Sequence, residues 1–175
     1  MAWYADWVRN NVLLSAFVQF ALLGTLGEVL GILGARQKAG GGALEWLAKA
    51  LVWGVLGILI KYAFTGFKGF LQVLVEQGFL PGICESDLVL KAFSLSFLTN
   101  AMFGPLLMFL HRSSDNIIAG SRGYRGIDKS LATLAWFWVP AHTVTFSLPI
   151  DFQIGLAALW SVALGLIMGF TKRRG

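Results

Sequence analysis

A single carboxylate, Glu28, interrupts an otherwise uncharged stretch from 11 to 35. If that stretch crosses a bilayer, an ionised side chain within it is costly and must face the bundle interior or a wet cavity. Glu28 is therefore the first candidate for function, as a group setting charge preference or gating in a path for small solutes. A competing reading makes it a hydrogen-bonded packing lock. It sits among Gly24, Gly27, Gly31 and Gly34, a small-residue spacing that lets a neighbouring helix approach closely. Pro105 and Pro140 each remove a helical N–H and free a carbonyl one turn earlier, at Ala101 and Trp136. Lipid cannot satisfy such carbonyls, so kinks of this kind are tolerated where protein or water does. Asn100 and His142 lie close to the two prolines. Glu28, Asn100, Pro105, Pro140 and His142 thus form a candidate pore or cavity set; the bland alternative is an interhelical hydrogen-bond network with no solute path.

His111, Arg112 and Asp115 make a second polar cluster, and a helix would bring His111 and Asp115 to one face at their spacing of four. At the end of an apolar run, His111 and Arg112 read as headgroup contacts, Arg snorkelling to the interface. Arg122 and Arg125, in the loop GSRGYRG at 120–126, read the same way; this loop lacks the spacing and lysine of a phosphate-binding loop. Nucleophile-elbow and zinc-protease motifs are absent from the sequence. Glu28 and His142 as an acid–base pair are the only enzymatic reading, and the weakest. Two histidines argue against a histidine-rich metal centre, and the lone Cys84 excludes an intrachain disulfide. No metal and no cofactor are expected.

The elements that would position these residues follow from hydropathy. Of 175 residues, 57% are hydrophobic and only 13% charged, about half the usual charged share. Residues 92–110, 130–150 and 152–171 are each free of Asp, Glu, Lys and Arg. About 20 helical residues cross a hydrocarbon core, so these are spans. The sequence predicts an all-α, polytopic transmembrane helical bundle forming one domain over 1–175. Its five spans fall at about 12–35, 44–64, 88–111, 130–148 and 152–171, with an interfacial amphipathic segment at 66–80. The first stretch, preceded by Asp6 and Arg9, is longer than the apolar part of a signal peptide and reads as the first span. Lys49 and Lys61 would snorkel to opposite interfaces.

Five spans place ten cations on one side (Arg36, Lys38, Lys49, Arg112, Arg122, Arg125, Lys129, Lys172, Arg173 and Arg174) and four on the other (Arg9, Lys61, Lys68 and Lys91). The positive-inside rule puts the N-terminus outside and the C-terminus in the cytoplasm, in a cell (inner) membrane. The net charge of +5 reflects loops facing anionic lipid rather than nucleic acid.

The C-terminal third reads WFWVPAHTVTFSLPIDFQIGLAALWSVAL over 136–164. It is similar to the closing pattern of the peroxisomal membrane protein family, which includes mitochondrial inner-membrane members. The matching positions are Trp138, Pro140, Ala141, Phe146, Pro149, Trp160 and Leu164. Gly104-Pro105 through Phe109 resembles the family's Gly-Pro motif, and Gly27-Glu28 its early Gly-acidic pair. One residue separates Trp138 from Pro140, Thr145 stands where the family usually has Asn, and the segment around 44–80 has no counterpart. The resemblance implies a divergent, bacterial relative, a small helical protein forming a channel for small solutes.

The sequence thus supports a channel or facilitator for small solutes lined by Glu28, Asn100 and His142. The first alternative is a non-conducting scaffold whose glycine stripe binds a partner helix or a second copy; an intramembrane enzyme is third. Expected partners are membrane lipids and a small solute, with a homo-oligomer left open.

Overall fold

A computed structural model describes residues 2–37, 40–124 and 126–174, the last four of these as backbone only. A short helix α1 (Ala2–Asn10) breaks at Asn11 and leads into α2 (Val12–Gly34). Next come the long α3 (Ala43–Glu76), a single turn α4 (Ile83–Ser86) and α5 (Leu88–Ile118). The chain returns in α6 (127–146) and ends in α7 (Ile150–Arg174). Helices α2, α3, α5 and the 150–170 part of α7 are long and apolar enough to cross a membrane.

Residues 66–80 are not a separate interfacial segment. They continue α3 without a break as far as Glu76. Gly66 and Gly69 weaken a helix by only about 1 kcal/mol each relative to Ala, whereas a true stop needs proline or a left-handed cap. That stop comes at Gly78, whose φ is +75°, with Phe79 N–H bonding back to the Leu74 carbonyl, and Pro81 follows. The 34 residues of α3 reach about 50 Å, longer than the hydrocarbon core. Near its far end Lys68 Nζ donates to Gln153 Oε1 at 2.8 Å.

Helix α2 is the centre of the bundle, packed between α3 and α7. Its glycine stripe faces inward: an added Cβ on Gly27, Gly31 or Gly34 would meet the backbone of Ser161, Gly165 or Gly169 in α7. The residue numbers rise together, so α2 and α7 run parallel. Gly24 instead admits the Trp53 ring, and Gly57 of α3 abuts Ala16 and Phe20, so α3 runs antiparallel to α2. At the end opposite the cation-rich loops, Arg9 makes two hydrogen bonds to Asp151 Oδ2, at 2.6 and 2.9 Å. Tyr4 stacks on Phe152 with 5.6 Å between ring centroids and donates to Gln19 Oε1. Phe20, Phe64, Leu71, Phe146 and Ile154 form the dry core of this half.

Both internal prolines follow a widened turn. Residues Thr99–Phe103 and Leu134–Trp138 are π-helical, with Gly104 N–H bonding the Thr99 carbonyl and Val139 N–H the Leu134 carbonyl, five residues back. The wide turn shifts the bonding register by one residue just ahead of each missing N–H, which is how the helices continue through Pro105 and Pro140. The two π turns touch each other, and the ends of α5 and α6 beside them pack closely.

Candidate functional site: a cavity on one half of the bundle

A cavity of about 370 Å³ occupies the half of the bundle nearer the cation-rich loops. Its floor is Phe20, Ile60, Phe64 and His142, and its mouth carries Gln37, Arg112, Asp115 and Ser130. Five helices contribute walls. The glycines of α2 and the π turns of α5 and α6 widen the space between them: Gly27, Gly31, Thr99, Asn100, Leu134 and Trp138 all line it. Beyond the floor the dry aromatic core closes the bundle.

Glu28, Asn100 and His142 all line this one cavity, although they come from three helices. Pro105 and Pro140 do not. Pro140 is exposed on the outer face and Pro105 half-buried, and Ala101 and Trp136 also point outward. The prolines act through the π turns that precede them. His111, assigned from its spacing to the headgroup region, turns inward: its ring meets Trp53 edge-on at 4.4 Å and its Nδ1 lies 3.0 Å from Asp115 Oδ2. Arg112 likewise borders the cavity. Arg122 is exposed in its loop, and Arg125 lies outside the described residues.

Glu28 is held from α3. Lys49 Nζ reaches its Oε1 at 2.5 Å, and Trp53 Nε1–H approaches Oε2 at 3.4 Å. The two charged side chains are only 15% and 20% exposed, so Lys49 is an interior counter-ion and does not snorkel. Its second acid is Glu45, 3.9 Å away on the same helix. Deeper in, the Asn100 amide nitrogen donates to the Ser96 carbonyl at 2.8 Å, which fixes its orientation. The same nitrogen faces His142 Nδ1 at 3.1 Å, so Nδ1 accepts and the neutral ring carries its proton on Nε2. Replacing Asn100 by leucine is expected to cost about 1 kcal/mol, because both acceptors lose their donor. A lowered thermal midpoint in detergent would register that loss.

Four buried polar atoms form no hydrogen bond among the described residues, and three of them line this cavity: Thr99 Oγ1, Ser161 Oγ and Trp138 Nε1. Buried polar groups are ordinarily paired, so these three are unsatisfied groups packed just behind the cavity lining. Of the three, only Trp138 is named from the sequence, as part of the resemblance pattern and not as a polar group. The available signal is that a tryptophan N–H inside a span always needs an acceptor.

Fold and cavity define a class: an all-α bundle with four helices able to cross a membrane, that is, a multi-pass membrane protein. No family model, curated protein or solved structure matches the chain.

Proposed function

We propose that this protein crosses the membrane five times and is a gated facilitator for a small polar solute, entered from the cation-rich face. The cavity carries the reading: a half-bundle space with a mostly apolar lining on which Glu28, Asn100, His111, Arg112, Asp115 and His142 converge. A concave apolar space with a few convergent polar groups is the usual form of a small-molecule site. The closed aromatic floor argues for a gate rather than a standing pore, with Phe20, Phe64 and Phe146 the groups that must part.

Helix direction supports five crossings. Helices α2 and α7 are parallel and α3 is antiparallel to α2. His111 of α5 sits against Trp53 near the start of α3, so α5 descends beside α3. Then α6 must carry the chain back if α7 is to descend again, and its 20 residues suffice for about 30 Å. The positive-inside rule places the cavity mouth in the cytoplasm. Kinship with the peroxisomal membrane protein family is part of this proposal and is supported by the Trp138–Leu164 pattern, Gly104-Pro105 and Gly27-Glu28.

The scaffold alternative needs a free glycine stripe, and α7 of the same chain occupies it. The acid–base alternative needs Glu28 and His142 together, yet each has its own partner, Lys49 and Asn100. The facilitator reading is tested by release of graded-size polar solutes from liposomes. Size-limited release is expected, and replacing Ser161 by tryptophan, which fills the cavity, should reduce it at least tenfold. No release from folded, inserted protein would refute the reading.

A further inference from the structure

The side walls of the cavity carry a ligand set of which only Glu28 belongs to the proposed solute path. Glu28 of α2 and His111 and Asp115 of α5 each offer one ligand atom, and these three atoms lie within 4.8 Å of one another. His111 Nδ1 and Asp115 Oδ2 are 3.0 Å apart, the edge length of a coordination shell with bonds of about 2.1 Å. The i, i+4 spacing on one helix fixes two ligands as a unit, and the Trp53 ring edge against His111 holds the imidazole in place. The third ligand comes from the central helix, so a bound ion would tie α2 to α5 across the cavity.

We infer that Glu28, His111 and Asp115 form a site for a divalent first-row transition ion such as Zn²⁺ or Mn²⁺. One imidazole with two carboxylates suits that class better than Ca²⁺ or Mg²⁺, which prefer oxygen alone, or Cu⁺, which prefers sulfur. Three protein ligands leave coordination positions open toward the cavity.

Two cations oppose the ion. Lys49 Nζ holds Glu28 Oε1, a carboxylate the ion would need, and Arg112 lines the same wall. Lys49 has an alternative partner in Glu45 at 3.9 Å, so ion binding displaces its ammonium by one short swing along its own helix. Lys49 thereby becomes the competitor that sets the apparent affinity.

The test is Zn²⁺ binding to the tag-free protein in detergent, by competition with a chromophoric chelator. One equivalent is expected, with His111→Gln and Asp115→Asn each weakening it at least tenfold. Cys84→Ser, which removes the only thiol at a distant position, leaves it unchanged. Lys49→Met removes the competing ammonium and tightens binding, a gain that misfolding cannot produce. The inference is overturned by the absence of saturable binding, by binding that His111→Gln and Asp115→Asn leave within twofold, or by a Lys49→Met variant that binds no tighter. Solute release measured with a strong chelator present decides the facilitator reading separately.

Discussion

Gly165→Leu is expected to prevent formation of the folded bundle. A Cβ at Gly165 would collide with the backbone carbonyl of Gly27, and the nearest further atoms are the Gly27 carbonyl carbon and Cα. Overpacking typically costs about 1–3 kcal/mol when side chains can shift. Here the obstacle is the backbone of a facing helix, so relief requires α2 and α7 to separate, and the cost should exceed about 3 kcal/mol. Separation would also open the cavity, which both helices wall. Size-exclusion profiles after graded heating should show no monodisperse folded species for this variant. Gly66→Leu is the matched control: an added Cβ there meets nothing within 4 Å, and a helical position gains about 0.5–1 kcal/mol on losing a glycine. Equal behaviour of the two variants would contradict the close α2–α7 seam.

Glu28→Gln should have the largest effect on selectivity. It removes the negative member of an ion pair that is mostly shielded from solvent. Deleting one partner of a buried pair costs about 3–5 kcal/mol when the other is stranded. Lys49 is not stranded, since Glu45 lies 3.9 Å away, so a cost of about 1–2 kcal/mol is expected after that discount. The double change Glu28→Gln with Lys49→Met should recover most of it. The cavity meanwhile gains one net positive charge. At about 10 Å and an effective dielectric constant of about 20, that shift amounts to about 1.7 kcal/mol per unit charge on a solute. An anion gains what a cation loses, about 3.4 kcal/mol between them, so the release ratio of an anionic over a cationic solute of equal size should rise by a factor on the order of 300. An unchanged ratio with normal folding would show that Glu28 does not face the path.

Much of this arrangement is legible in the sequence, for definite reasons. Uncharged runs near 20 residues must be helices in lipid, because no other local structure satisfies its own backbone there. Glu28 is conspicuous because burying charge is expensive, and Asn100 and His142 because polar groups within spans need partners. What escapes is anything that depends on the register between helices. Lys49 lies 21 residues from Glu28, and only the antiparallel α2–α3 hairpin turns a snorkelling lysine into a counter-ion. His111 sits at the end of an apolar run by residue count, yet α5 continues to Ile118, which carries it inside. The α2 glycines announce close packing, but their partner follows from Gly165 and Gly169, whose equal four-residue spacing is visible in α7. The prolines misdirect attention to themselves; the π turns ahead of them widen the cavity, and nothing in proline's own geometry predicts which way those turns face.

A cavity open to water from the cation-rich face is tested most directly by thiol accessibility at Leu107, which lines it and is half-buried. In a Cys84→Ser background, Leu107→Cys should react with a small membrane-impermeant thiol reagent added to the cation-rich face of proteoliposomes. Leu106→Cys, on an outward position of the same helix, should stay unlabelled. A folded Leu107→Cys protein that resists the reagent from both faces, as Leu106→Cys does, would contradict the water-filled cavity.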